Sequence, residues 1–554
     1  MRSFSATVPP RPATQARSPS PALVTTSPPP PTNATPVPFA ESLALLVLAV
    51  VAAMGFFFAF DATPIMDAPG HAALFATRHR FAASPFEQEH LVYAPMLGPY
   101  SLFRGLGELF YRLLGAEGAV RVVYALPVAA IPAATLFMRR RLHGDRSAAF
   151  GHLALALSLG LMLLFGLASF LLAAAVFLVV TTLWLELLAA TTRSENTVSR
   201  EAVLAAAACF LFLAHGHAFV LFLAVAPAMA LVDGPRMPRL LRLRTFGPAV
   251  ALAAYVAWST RPGTAPADAV LRTDAPGLHF QGILDKLSLL VTPTLMTRWG
   301  VDVAIGLVLA GAIAFGVHAT ARSLTADALA RDARGHVRGL FAAATVLALL
   351  FFVLPHEIGW FGFVDARLVP LVEWLLLGAL VEPALGARTK RALYTFAPLF
   401  SFALVAIDLT AAARFQREAE GFREVAQALP PGSRLLNLPL DPNSDVFTSH
   451  PFVHYNKYAQ MQRPVITSDT WFHQGSAVYP RRGNPALALP RDYVSSNLHG
   501  LDWSAYALDD WDYVLVRVKP TGTFPAPPHS LTPVVEQGGW HLFRTQAAAT
   551  RLGP

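Results

Sequence analysis

"SLALLVLAVVAAMGFFFAF", residues 42–60, runs without a break into "DATPIMDAPGHAALFATRHRF", residues 61–81. The first stretch has no charged side chain, and about 20 such residues in a helix cross the roughly 30 Å hydrocarbon layer of a membrane. The second stretch opens on Asp61 and carries Asp67, His71 and His79, so its polar groups fall at a membrane surface. Reading the first stretch as a membrane helix decides the fold class.

Composition agrees along the rest of the chain. Of 554 residues, 54% are hydrophobic and 14% are charged, where soluble domains carry about a quarter charged residues. Apolar runs of spanning length cover 40–60, 118–138, 147–166, 169–189, 202–215, 217–232, 246–260, 299–318, 339–355, 366–385 and 392–411. The expectation is a mainly α, polytopic bundle of about eleven transmembrane helices. The single cysteine, Cys209, excludes an intrachain disulfide. The net charge of +8 is what Lys- and Arg-rich cytoplasmic loops give a membrane protein, and it calls for no nucleic-acid partner.

Three regions follow. Residues 1–39 are rich in Pro, Ser and Thr and poor in large aliphatic residues, the signature of a disordered tail; the apolar run begins too late for a cleavable signal peptide. Residues 40–411 form the membrane domain. From 412 to 554 charged residues, Pro, Gly and Trp become frequent. "DWDYVLVRV" and "GGWHLFRT" read there as strands after an amphipathic helix, predicting a soluble α/β domain. Placing the basic clusters after 138, 235, 322 and 387 in the cytoplasm puts the N-terminus inside and the C-terminal domain outside. That arrangement holds only if residues 94–115, with Arg104, Glu108 and Arg112, lie at the interface, making 61–117 a long first external loop. Residues 356–366, "HEIGWFGFVDA", form another.

A carboxylate at the end of a membrane helix can be desolvated and tuned toward a general base, which nominates Asp67 and, next to it, Asp61. "D-A-P-G-H" is equally an N-cap followed by Pro in the first helical turn. His71 falls one turn beyond Asp67, and the pair could share a proton or a metal ion. His79, Glu87, Glu89 and His90 follow in a spacing that specifies no metal site. His215 and His217 flank Gly216 at a helix boundary. In the C-terminal region "HPFVHYNKYAQMQRPVITSDTWFHQ" gathers His450, His454, Asp469 and His473 among aromatic residues suited to a sugar or peptide surface. No Walker or Rossmann motif is present, so nothing supports nucleotide hydrolysis or dinucleotide chemistry.

Asp67 entering a helix, Pro95 with Tyr100, Gly115, and Arg121 within "AVRVVYALPVAA" together resemble the GT-C class of membrane glycosyltransferases. The similarity is to the branch of protein O-mannosyltransferases and the lipid A aminoarabinose transferase. Ala68 stands where that branch usually has a second acid. The resemblance implies transfer of a sugar from a polyprenyl-phosphate donor to a lipid, glycan or protein acceptor, with inversion at the anomeric carbon and Asp67 or Asp61 as base. It implies a cation for the lipid phosphate, for which Arg367 and then Arg121 are the candidates. His71, Tyr100, His356 and Glu357 are the remaining candidate binding residues. These residues demand no cofactor and leave room for a divalent cation. The implied location is a bacterial inner membrane with a periplasmic C-terminal domain. Two other readings stay open: a transporter or flippase of a lipid-linked substrate, and a non-catalytic membrane scaffold.

Overall fold

The computed structural model describes residues 39–94, 97–145, 147–260, 268–270, 277–325, 329, 331–359, 361–469, 477–490, 493 and 501–552. The expectation for the N-terminal tail falls outside them, as do Trp471 and His473.

The first apolar run forms the helix Phe39–Phe58, whose end leaves Asp61 in the loop beyond it. Six described helices are long and apolar enough to cross a membrane: Ser101–His143, Ala168–Thr192, Arg236–Ser259, Val301–Leu324, Arg331–Val353 and Ala387–Glu418. Leu43–Phe58, Gly216–Leu231 and Leu368–Ala379 are shorter apolar helices. Ala168–Thr192 is central, with Trp184, Phe177 and Phe170 fully buried. Leu307, Val308 and Phe315 point outward from the helix Val301–Thr325, as lipid-facing side chains do. This is an integral membrane protein with a helical bundle.

Three segments differ from their sequence expectation. Residues 101–143 are two helices that meet at a kink at Gly115, whose φ of 72° is positive and non-helical. The turn separates the part bearing Arg104, Glu108 and Arg112 from the apolar part, so the two expected pieces meet at one glycine. The run 147–166 is broken into Ala149–Ala156 and Leu161–Leu164. Gly160 lies so close to Pro293 that a Cβ would sit 2.3 Å from its carbonyl oxygen, and the Leu161 amide donates to Thr292 O at 2.9 Å. The neighbouring backbone thus takes up an amide freed by the break, as irregular structure inside a membrane protein requires. Finally, the run expected to reach 385 ends at Ala379. Buried Arg139 donates to Leu377 O at 2.6 Å and Leu380 O at 2.7 Å, taking up carbonyls left by the helix end.

Beyond the helix Ala387–Glu418 the chain builds a five-stranded sheet. Its order is Val465–Thr467, Ser433–Pro439, Tyr513–Arg517, Trp540–Thr545 and Leu531–Gln537. The first three strands are parallel and the last two antiparallel, consistent with the expected α/β region. Tyr513–Arg517 is buried throughout, as a central strand covered on both faces should be.

The loop after the first helix is bonded to this region. Leu91–Tyr93 pairs antiparallel with Val478–Pro480. Thr63 Oγ1 lies 2.8 Å from Tyr458 Oη, and Tyr455 Oη donates to Thr63 O at 3.2 Å. Arg80 reaches the Met461 carbonyl at 2.9 Å while holding buried Glu87.

Candidate active site

Asp67 stands at the N-cap position of the helix Ala68–Arg80, with Pro in its first turn. Its carboxylate makes no capping hydrogen bond; it faces a cavity instead. The placement depends on Gly166, whose φ is +90°: a Cβ there would come within 2.4 Å of Asp67 Cβ. Such a backbone conformation with no room for a side chain requires glycine. Tyr124 locks the arrangement, donating to Gly166 O at 3.1 Å with its hydroxyl 2.6 Å from His71 Nδ1.

The cavity, about 430 Å³, is lined on different sides by Asp67, Tyr100, Phe103, Phe361, Arg367 and His454. Arg104, His71 and His215 also reach it. Tyr100 and Phe363, another lining residue, have φ of 72° and 58°. Left-handed backbone at bulky residues stores strain and is concentrated at functional sites.

Arg367 enters from the start of the helix Leu368–Ala379 and is 4% exposed. It donates to Gly362 O at 3.0 Å, approaches His215 Nε2 at 3.5 Å and lies 4.0 Å from the Phe361 ring centre. Among the described residues its guanidinium has no carboxylate partner, and its Nε–H has no acceptor. A buried cation left without a counter-charge costs several kcal/mol, and an incoming anion removes that cost.

On the other wall, His454 Nε2 lies 3.7 Å from Asp67 Oδ1, while its Nδ1 is 2.8 Å from Asp469 Oδ2. Burial raises the Asp67 carboxyl to about 6, against the pull of His454 and Arg367. Its side chain is a quarter exposed, and it lines the cavity. For Asp469 burial pushes upward, but Lys457, His454 and Asn456 together hold its carboxyl below the usual range. Two carboxyls on either side of one imidazole are thus tuned in opposite directions, the pattern that separates acid and base roles.

Of the residues nominated from sequence, Asp67, His71, Tyr100 and Arg367 meet at this cavity. Asp61 lies outside it, exposed and paired with Arg423 at 3.0 Å. Arg121 is engaged by Glu117 and the Phe58 and Asp61 carbonyls. His356 is buried against Asp365 at 2.7 Å. Glu357 is in a short strand paired with Leu278–His279. His215, from the helix boundary, and His454, from the aromatic stretch suited to a sugar or peptide surface, join the cavity, as does Arg104 from the interfacial segment. Among the described residues no three His, Cys, Asp or Glu side chains gather as a metal site.

No family model and no curated protein matches the chain. Three solved structures are similar to it. The Archaeoglobus fulgidus oligosaccharyltransferase in the apo form shares 12% identity over 77% of this chain and 64% of that one, with a TM-score of 0.39. Arabinofuranosyltransferase AftD from Mycobacteria shares 16% over 91% and 40%, at 0.40. The A. fulgidus oligosaccharyltransferase AglB, in complex with an inhibitory peptide and a dolichol-phosphate, shares 12% over 86% and 69%, at 0.42. The chain spans 40% to 69% of the length of these structures.

Proposed function

We propose that this protein is a GT-C-type membrane glycosyltransferase that moves a sugar from a polyprenyl-phosphate donor to a hydroxyl acceptor at the cavity. The observation that carries this reading is Asp67 and the buried Arg367, without a carboxylate partner among the described residues, lining one cavity next to the end of the first membrane helix. Arg367 binds the donor phosphate through charge-assisted hydrogen bonds. Asp67 takes the acceptor proton as the acceptor oxygen attacks the anomeric carbon. The bond from that carbon to the phosphate oxygen breaks, and Arg367 stabilises the negative charge left on the lipid phosphate. One displacement inverts the anomeric centre. The cavity volume is within the roughly 300–1,000 Å³ usual for small-molecule sites, and Tyr100, Phe103 and Phe361 offer rings for a sugar to pack on. In this reading the C-terminal region lies outside the cytoplasm, periplasmic in a bacterium.

The interrupted helix at 157–160 is a feature shared with transporters, which use broken helices at mid-membrane sites. The Leu161 amide just past the break is taken by Thr292 O and Gly160 is packed against Pro293, rather than both being open to a substrate, which favours the enzyme. The test is incubation of the purified protein with polyprenyl-phosphate donors carrying radiolabelled mannose, glucose or arabinose and a membrane extract. Label moves to acceptor with wild type and much more slowly with Arg367→Gln at the same donor concentration. Donor that binds and is never consumed, or that crosses the bilayer unchanged, overturns the proposal.

A further inference from the structure

We propose that His454, backed by Asp469, accepts the proton that Asp67 takes from the acceptor hydroxyl, so that the C-terminal region completes the catalytic site. This rests on the glycosyl-transfer reading above. The histidine belongs to the short turn Pro451–His454, and Asp469 stands just past the strand Val465–Thr467. That is the carboxyl end of the parallel part of the sheet, where open α/β sheets place ligand-binding groups. The helix Lys457–Gln462 packs along Ala68–Arg80 and presses this edge onto the Asp67 loop.

The dyad has the geometry of a relay. Asp469 is already held by Asn456 Nδ2 at 2.6 Å and by Lys457 Nζ at 3.6 Å, so it needs no histidine to satisfy its charge. The added bond from His454 Nδ1–H to Asp469 fixes the tautomer and aims Nε2 at Asp67. The remaining 3.7 Å is closed by a small side-chain rotation, and catalytic hydrogen bonds commonly tighten only with substrate bound. The other charged or titratable groups beside Asp67 are Arg367, Tyr124 and His71, whose backbone amide donates to the Asp67 carbonyl at 3.0 Å. Of these, His71 has its Nδ1 against Tyr124, and Arg367 has no lone pair to offer.

The step balances. The acceptor O–H bond breaks, its proton goes to Asp67 and on to His454 Nε2, and Asp469 stabilises the imidazolium. The electron pair of the broken sugar–phosphate bond stays on the lipid phosphate. Deprotonation of the imidazolium by solvent resets the site.

Two readouts on the purified full chain test this. Carbodiimide reacts with protonated carboxyls, so labelling of Asp67 against pH, read by mass spectrometry, reports its titration without any donor. His454→Gln moves that midpoint upward by about 1 pH unit, because the imidazole that takes up the carboxyl proton, and once protonated favours the carboxylate, is gone. In transfer assays the same variant loses about 100-fold in kcat with donor KM unchanged, and added imidazole restores part of the rate in His454→Ala. An unmoved labelling midpoint overturns the relay, as does a His454→Gln enzyme with wild-type kcat while Asp67→Asn is inactive. Absence of transfer from wild type itself would instead remove the glycosyltransferase reading, and the labelling experiment would still report on the pair.

Discussion

Two arginines are buried to nearly the same depth, Arg139 at 1% exposed and Arg367 at 4%. Arg139 is saturated: it pairs with Asp145, donates to two helix-end carbonyls and lies 3.2 Å from the Phe150 ring centre. Arg367 has one close carbonyl, a distant histidine nitrogen, an aromatic ring and an N–H that no described residue accepts. The first is a tie between helices. The second is a cation held ready at a cavity wall. The same contrast separates the carboxylates Asp365 and Asp67. Asp365 is closed in by Lys286 at 2.9 Å and His356 at 2.7 Å, whereas the ion pair of Asp67 among the described residues is with a histidine at 3.7 Å. Burial alone does not mark a site; incomplete satisfaction beside open space does.

The contrast breaks most visibly at Asp67 and Arg139. Asp67→Asn lowers transfer by about 100-fold or more while the protein folds normally. Arg139→Gln does the reverse: leaving Asp145 buried without its partner costs about 3–5 kcal/mol, read as a steep fall in Tm in detergent. If Arg139→Gln folds like wild type, the distinction between tie and site fails. Arg367→Gln sharpens it from the other side, with an unchanged or raised Tm and a donor KM increased roughly tenfold or more, as loss of a charge-assisted hydrogen bond entails. Gly166→Ala forces a side chain against Asp67 in left-handed backbone, at a cost of about 1–3 kcal/mol. Its transfer rate falls by more than its Tm suggests.

A last effect concerns pH. The Asp67 carboxyl stands at about 6 in the folded chain against an ordinary 3.8. The folded state therefore binds more protons than the unfolded one between those values, and stability falls as pH rises through that window. Asp67→Asn removes the loss, so its Tm exceeds that of wild type at about pH 7 and matches it at about pH 4. Equal melting at both pH values would show that the carboxyl is not desolvated.

Much of the bundle could be read from apolar runs, because membrane burial imposes length and composition on sequence directly. The strands "DYVLVRV" and "GGWHLFRT" were legible for a similar reason, through turn residues and β-branched content. The break at 157–160 was not, since it depends on the backbone of Thr292 and Pro293, far along the chain. At the site, Asp67 and Arg367 stood out as charges flanking apolar helices. The approach of His454 to Asp67 had no local signature: 387 positions separate them, and only the packing of the sheet edge on the first loop brings them together. Arg121, which matches the GT-C pattern, instead spends its donors on Glu117 and two carbonyls. A motif position does not reveal what neighbours will satisfy it.

The most direct test compares Asp67→Asn with Asp61→Asn in the same transfer assay, with donor binding measured in the same preparations. The account predicts that both variants bind donor, that Asp61→Asn transfers sugar like wild type, and that Asp67→Asn does not. Transfer retained in Asp67→Asn, or lost only in Asp61→Asn, would contradict it.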